Sequence, residues 1–207
     1  IGYQALYTLA PSGSVDTHCV AVGFEAGKVV STGTDNTIVG SQAGLAINTG
    51  ANNTCIGRAA GDALTTGDNN TIIGAGSDAS AVGVDNEITL GNSSISAIRA
   101  QVTSISSLSD RRDKKDIKGS IYGLDFVDSL KPVTFEWDQR DGNRSGVKDV
   151  GFIAQDLQEV DDEYTRLVYE SNPDKLEATY GRLIPIMAKA IQELSAEVKE
   201  LKKQING

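Results

Sequence analysis

Three stretches decide the fold of the N-terminal half of the chain: NTIVGSQAG at residues 36–44, NTCIGRAAG at 53–61 and NTIIGAGSD at 70–78. They align without gaps, and the same phase covers CVAVGFEAG at 19–27 and EITLG at 87–91. The glycines that mark the five units are each seventeen residues apart, at Gly23, Gly40, Gly57, Gly74 and Gly91. The first half of the sequence is therefore built on a 17-residue repeat.

Each unit joins a short β-prone run, such as TIV or TCI, to a glycine, a few small residues and a polar turn. A run that short cannot bury an apolar face alone, and turns such as NTGANN favour a change of direction. Stacked coils satisfy both conditions, so we predict a β-solenoid. IGYQAL at residues 1–6 resembles an earlier copy, with four extra residues before the next unit. Because the chain begins inside a repeat, we expect it to belong to a longer protein.

Stacking at this period predicts which side chains share a position in successive coils. An asparagine ladder would contain Asn36, Asn53 and Asn70, with Cys19 occupying the same slot one coil earlier. One slot of the core would contain Ile38, Cys55 and Ile72. Both cysteines are then predicted to be reduced structural thiols.

The repeats are similar to the head repeats of trimeric autotransporter adhesins and to repeats in bacteriophage tail fibres, in which NTAIGYQAG-like units form a trimeric β-roll. For residues 1–91 the resemblance implies a trimeric shaft or head. Residues 1–108 contain three Lys/Arg against eight Asp/Glu and offer no credible catalytic constellation.

The composition also argues against several function classes. The net charge is −9, and no basic run has the interleaved aromatic residues that stack on bases, so we expect no nucleic-acid partner. No apolar run approaches the roughly 20 residues that span a bilayer, so we expect no membrane insertion. With one histidine and two cysteines, we expect no metal site and no cofactor.

The composition changes at LSDRRDKKDI, residues 108–117, where eight residues carry a hydroxyl, three carboxylates and four cations. Serine becomes a nucleophile when a base takes its proton, and a lysine is such a base only where burial or nearby cations lower its pKa. Cations and carboxylates both flank Lys114, and the sequence leaves their balance open. The five-residue spacing from Ser109 does not fit one helical face, so contact requires a turn. The alternative is a solvated charged loop in which Ser109 or Asp110 caps a helix.

This stretch is similar to the N-terminal signature of the intramolecular chaperone auto-processing domain of phage tail spikes, tail fibres and endosialidases, which also occurs in a myelin regulatory factor. Further similar stretches follow in the order of that family: YGLDFVDSLKPVTFEW at 122–137, DVGFIAQDLQEV at 149–160 and YGRLIPIMAKAIQEL at 180–194. The resemblance implies a Ser–Lys dyad that cuts the chain once, at the Leu108–Ser109 bond. It assigns Ser109 as nucleophile and Lys114 as general base, with Asp110, Arg112 and Asp116 as candidate supporting residues.

Beyond the charged stretch, the pattern predicts an α+β domain that ends in a long coiled-coil helix. We expect helices at 117–130 and from 154, strands at 133–137, 147–153 and 166–170, and a turn at 139–146. In the last helix, apolar residues alternate at spacings of three and four, which forms an a/d seam at Ile184, Met187, Ile191, Leu194, Val198, Leu201 and Ile205. β-branched residues at a with Leu at d favour two strands, whereas the family resemblance implies three. We predict a homotrimer.

We therefore expect a repeat shaft at 1–91, a connector with strand character at 92–108, and a chaperone domain at 109–207. The predicted function is that of a virion tail fibre or appendage, assembled in the host cytoplasm, whose C-terminal domain folds the trimer and then releases itself. Its partners would be upstream fibre and virion proteins and a host receptor. The alternative is a non-cleaving trimeric adhesin with a coiled-coil stalk. A cleaved membrane-tethered regulator is disfavoured by the adhesin-like repeats.

Overall fold

The structure is a computed structural model that describes residues 1–9, 17–102, 104–140, 142 and 144–206. The chain divides into two compact units. One contains Ile1–Ile98 with Asp138–Ser145, and the other contains Arg99–Trp137 with Gly146–Gly207. The boundaries that we expect for the repeat shaft, the connector and the chaperone domain stay predictions.

The first unit is a parallel β-solenoid, as predicted. Its five three-residue strands form one sheet in chain order, and each residue pairs with the residue seventeen positions later, as Ile38 does with Cys55. The first six residues also stack as an earlier copy, because Gly23 N–H donates to the carbonyl oxygen of Ile1 at 2.8 Å. Part of the connection after this copy, residues 10–16, lies outside the described residues. The strands are β1 Val20–Val22, β2 Thr37–Val39, β3 Thr54–Ile56, β4 Thr71–Ile73 and β5 Ile88–Leu90.

The marker glycines lie where successive coils come closest. Gly40 has φ +139°, and a Cβ placed on it would lie 2.3 Å from the carbonyl oxygen of Gly57. A side chain at this position would therefore meet both an unfavourable backbone conformation and the backbone of the next coil. This contact explains the strict recurrence of glycine in the sequence.

The asparagine ladder is confirmed, and its members are fully buried. Asn53 N–H donates to Oδ1 of Asn36 at 2.9 Å, and Asn53 Oδ1 accepts from Asn70 N–H at 3.0 Å. Cys19 occupies the same slot, since its thiol donates to Gly33 O at 3.4 Å as the Asn36 amide donates to Gly50 O at 2.8 Å. The ladder satisfies backbone groups that the narrow coils would otherwise bury unpaired.

Cys55 is confirmed as a buried core residue. It pairs in register with Ile38 on one side and Ile72 on the other, and all three are fully buried. Burial raises the pKa of the Cys55 thiol to about 12, so the group stays a neutral thiol under ordinary conditions. Both cysteines are free.

The final coil replaces apolar residues with polar ones, which the sequence analysis did not anticipate. Ala60 is followed by Ser77, Gly61 by Asp78 and Ile72 by Thr89, and the asparagine ladder ends at Glu87. The Glu87 carboxylate accepts from Ser80 N–H at 2.8 Å and from the Thr89 hydroxyl at 2.9 Å. The apolar core therefore ends in a polar capping coil.

The second unit combines two small antiparallel hairpins with helices, which confirms the predicted α+β class. The predicted strands at 133–137 and 147–153 pair with each other. The predicted strand at 166–170 is reduced to two residues and pairs with β9, a strand that was not predicted. Asp141 and Asn143 of the predicted turn lie outside the described residues. The elements are α1 Leu124–Ser129, β6 Val133–Glu136, β7 Lys148–Gly151, α2 Ala154–Gln158, β8 Val168–Tyr169, β9 Glu177–Ala178 and α3 Leu183–Asn206.

The prediction of a helix over 117–130 is wrong in its first half, because α1 begins at Leu124. Gly123, at its start, has φ −133° and ψ −133°. The Glu193 carboxylate of α3 accepts the first helical N–H, from Leu124, at 2.6 Å. A Cβ on Gly123 would lie 2.0 Å from that carboxylate, so the start of α1 is fixed by a contact with a distant helix.

The strand predicted in the connector is also wrong: between residues 92 and 108, leaving aside Thr103, the chain forms neither strand nor helix. The partial alternation of the sequence has no neighbouring strand to pair with inside one chain. Its large apolar residues are left exposed, namely Ile95, Ile98, Val102, Ile105 and Leu108.

Candidate active site

The candidate site is built on a short 3₁₀ turn, Arg111–Asp113. Asp110 caps the start of the turn, and its Oδ1 accepts from Arg112 N–H at 2.8 Å. At the other end, Lys114 N–H donates to the carbonyl oxygen of Arg111 at 3.2 Å. The chain therefore bends back between Ser109 and Lys114, as contact between them requires.

The turn places the ε-amino nitrogen of Lys114 2.6 Å from Oγ of Ser109. This distance lies within the range over which a positioned base takes a proton from a hydroxyl. Both atoms belong to residues that the family resemblance assigns to a dyad. The structure gives their proximity, and their catalytic roles stay a prediction.

Two of the three candidate supporting residues bind each other. Arg112 faces the Asp110 carboxylate through Nε at 3.1 and 3.2 Å and through a terminal nitrogen at 2.6 Å. This contact with Arg112 lowers the pKa of Asp110 below its ordinary value, and the same contact raises the pKa of Arg112. Asp110 therefore stays ionised and directed at Arg112 across the neutral range.

Asp116, the third candidate, lies two residues after Lys114 with φ +53°. In the part of the chain that the structure describes, no contact joins its carboxylate to Ser109 or Lys114. Its assignment as a supporting residue therefore has no direct geometric support in the single chain.

The site is open to solvent in the single chain. Ser109 and Lys114 are both exposed, and the Leu108 side chain before them is 83% exposed. A lysine that acts as a base works in its neutral form, which desolvation favours over the charged form. The single chain therefore brings the Ser109 hydroxyl and the Lys114 amine into contact, but both remain exposed to solvent.

The pair at Asp110 and Arg112 is the part of the site that sequence reasoning described least well. Both are candidate supporting residues from the sequence, but Asp110 has a capping role there only in the solvated-loop alternative, and Arg112 has no partner there. The structure shows capping and the short Ser–Lys distance in the same turn. An Asp followed two residues later by an Arg at the start of a short turn was the available signal.

Comparisons with known proteins agree with this location. Residues 109–168 match the model of the peptidase S74 family, described as chaperone of endosialidase. The chain is 35% identical over 91 residues to the long tail fiber protein Gp37 of Enterobacteria phage M1, and equally to that of Enterobacteria phage Ox2. Each alignment covers 44% of this chain and 36% of the relative, so the chain spans about a third of these relatives' length. No solved structure matches.

The matched region begins at Ser109 and includes the turn, the Ser–Lys contact and the first hairpin of the second unit. The C-terminal half of the chain therefore carries an endosialidase-chaperone domain of the peptidase S74 family, within a chain distantly homologous to phage long tail fibre proteins.

Proposed function

We propose that the chain is part of a phage tail fibre or appendage whose C-terminal domain assembles three chains and then releases itself by cutting the Leu108–Ser109 bond. The observation that carries the proposal is the 2.6 Å contact between Lys114 and Ser109, at the residue where the family match begins. The fibre assignment rests on the homology to long tail fibre proteins.

The proposed reaction follows from a serine that attacks the bond before it. The neutral Lys114 amine takes the proton of the Ser109 hydroxyl, and Oγ attacks the carbonyl carbon of Leu108 to form a tetrahedral intermediate. Collapse breaks the C–N bond as the lysine returns its proton to the amide nitrogen, which leaves an ester between Leu108 and Ser109 Oγ. Water then hydrolyses this ester, so each chain reacts once. Direct attack of water on the peptide carbonyl is the alternative route to the same products.

The trimer is supported by apolar surfaces that one chain leaves uncovered. The a/d seam on α3 is exposed along its whole length. The outer face of the solenoid sheet carries a second column at the same seventeen-residue interval, which consists of Val22, Val39, Ile56, Ile73 and Leu90. Exposed apolar stripes of this regularity are typical of surfaces that other chains cover.

Assembly would also supply what the single-chain site lacks. Chains that pack around the exposed connector and the turn would exclude water from Ser109 and Lys114, and desolvation favours the neutral amine. Cleavage would then follow assembly, and the cut fibre would be kinetically locked because its chaperone has left.

The test compares wild type with Ser109→Ala and Lys114→Ala on a denaturing gel, with Ser107→Ala and Lys115→Ala as matched controls. We expect wild type and both controls to give two fragments, one of which has Ser109 as its N-terminal residue by sequencing. The two dyad variants should stay as one chain of 21.8 kDa.

A second candidate is the non-cleaving trimeric adhesin, which the solvent exposure of Ser109 and Lys114 favours. The same gel decides between the two. A wild-type chain that stays intact during long incubation as a trimer would establish the adhesin and exclude self-cleavage.

A further inference from the structure

We infer that Asp110 is a positioning residue for this reaction: held by Arg112, its carboxylate caps the turn that brings Lys114 onto Ser109. The inference rests on the proposed function and adds to it a role for two residues that do not touch the reacting atoms. The role has two parts. In the geometric part, the capping hydrogen bond keeps the turn closed. In the electrostatic part, the ion pair with Arg112 keeps the Asp110 charge from attracting Lys114.

The geometric part follows from the size of the turn. The 3₁₀ turn contains three residues, and isolated turns of this length are unstable without further contacts. Its closing bonds lie at the long end of the usual range: Asp113 N–H donates to Asp110 O at 3.2 Å, and Lys114 N–H donates to Arg111 O at 3.2 Å. The cap bond from Arg112 N–H to Asp110 Oδ1 is shorter, at 2.8 Å. Loss of the cap would let the turn open and move Lys114 away from Ser109.

The electrostatic part follows from where the Asp110 charge is directed. This carboxylate lies immediately after the nucleophile, where a free anion would attract the Lys114 ammonium away from Ser109. Arg112 occupies both carboxylate oxygens instead, with three nitrogen–oxygen contacts of 2.6 to 3.2 Å. The guanidinium cannot lose its proton in the working range, so it holds the carboxylate at every pH at which the lysine acts.

The remaining charged residues of the segment are exposed and lie between Ser109 and Lys114 or directly after Lys114: Arg111, Asp113, Lys115 and Asp116. Asp113 is a useful control because it belongs to the same turn, carries the same charge as Asp110 and does not cap the turn. A general effect of negative charge near the dyad would act through both residues, whereas the capping role belongs to Asp110 alone.

The test measures the first-order rate constant of cleavage of the full chain after cell-free synthesis, by gel time course at pH 7. Light scattering on each variant, combined with Ser109→Ala to prevent cutting, checks that it assembles as wild type does. We expect Asp110→Ala to cut about tenfold more slowly, whereas Asp110→Asn, whose amide oxygen also caps well, should stay within about threefold of wild type. Asp113→Ala should cut at the wild-type rate.

Arg112→Gln provides the second arm, because it keeps the backbone cap and releases the carboxylate. We expect it to cut about tenfold more slowly than wild type, and we expect Asp110→Asn in the same chain to restore the rate to within about threefold of wild type, because no free carboxylate then remains beside Lys114. Asp110→Asn as slow as Asp110→Ala would overturn the capping role, and an Arg112→Gln variant that Asp110→Asn does not rescue would overturn the electrostatic role. Failure of wild type itself to cut would instead refute the proposed function.

Discussion

The two units of the chain complete their cores in different ways. In the solenoid, every column of inward-facing residues is covered by the coil above and the coil below, and Ile38, Cys55 and Ile72 reach zero exposure within one chain. In the C-terminal unit, the buried cluster centres on Leu157, Leu167, Leu183 and Ile186, whereas the seam along α3 remains in solvent.

The two regions therefore obtain their stability from different contacts. The solenoid repeats one contact many times along the chain, so its interior is already packed before any other chain arrives. The C-terminal unit has an amphipathic helix with one face on α1 and another face that nothing in the described part of the chain covers. As proposed, the second unit depends on assembly, which is the property expected of a chaperone domain that brings chains together.

The most severe way to break the solenoid is Gly40→Ala. The new Cβ would lie 2.3 Å from the Gly57 carbonyl oxygen in a backbone conformation of φ +139°, so the two coils must separate. We expect a loss of at least about 3 kcal/mol in the free energy of unfolding, measured by thermal or urea denaturation of the full chain. Gly119→Ala is the control, since a Cβ there meets nothing within 4 Å. An unchanged stability of Gly40→Ala would contradict the described coil contact.

In the C-terminal unit, the informative substitution is on the exposed seam of α3 rather than in the buried core. Ile191→Asp places a charge on the seam at a residue that is 66% exposed in one chain, so the fold of that chain should survive while the trimer dissociates. We expect the mass by light scattering, in a Ser109→Ala background, to fall from three protomers to one. Gln192→Asp adds the same charge beside the seam and should leave the trimer intact; equal dissociation of both variants would mean that the seam is not the interface.

A milder test of the solenoid removes one rung of its polar ladder. Asn53→Ala deletes the bond to Gly67 O and removes the Asn53 Oδ1 that accepts from the backbone N–H and the side-chain amide of Asn70. We expect a destabilisation of about 2 to 4 kcal/mol, since buried groups left unsatisfied are penalised by about 1 to 3 kcal/mol each. Thr66→Ala, at an exposed position of the same unit, should change the stability little. If the two substitutions had similar effects, the ladder would not be a source of stability.

The smallest expected effect is a pH dependence at the capping coil. Burial, and secondarily the nearby Asp62, raise the pKa of Asp78 from 3.8 to about 6. A raised carboxyl pKa means that the folded state holds its proton longer than the unfolded state. The contribution of Asp78 is therefore fully present below about pH 4 and is lost as the pH rises through about 6. Asp78→Asn should remove this slope from melting temperatures measured between pH 4 and pH 7; a slope that persists unchanged would assign it to other groups.

The sequence predicts the solenoid well because its determinants are local and repeated. A glycine at Gly40 and an asparagine at Asn53 each make the same contact as their equivalents one coil away, so a single period reveals strands, register and core together. The C-terminal unit lacks this redundancy. The start of α1 depends on Glu193, sixty-nine residues from Leu124, and no local pattern contains that contact.

The candidate site falls between these two cases. Counting charges in residues 108–117 could not decide whether Lys114 reaches Ser109, because cations and carboxylates flank it in similar numbers. The answer depends on the direction of one side chain: Asp110 turns back to cap Arg112 and thereby folds the five-residue spacing into a contact of 2.6 Å. Local turn chemistry, rather than charge balance, creates the geometry, whereas the burial that we propose for the site would come from other chains.

The seventeen-residue register has a genetic consequence. Each coil advances the shaft by one strand spacing, about 4.8 Å, so a duplication or deletion of one unit changes the length by that amount and leaves every column aligned. Gain or loss of one whole unit, such as the unit that begins at Asn36 or at Asn53, would change the length in whole steps and keep the sequence of the capping coil and of the domain that follows. The number of repeats in the sequence therefore sets the length of the solenoid.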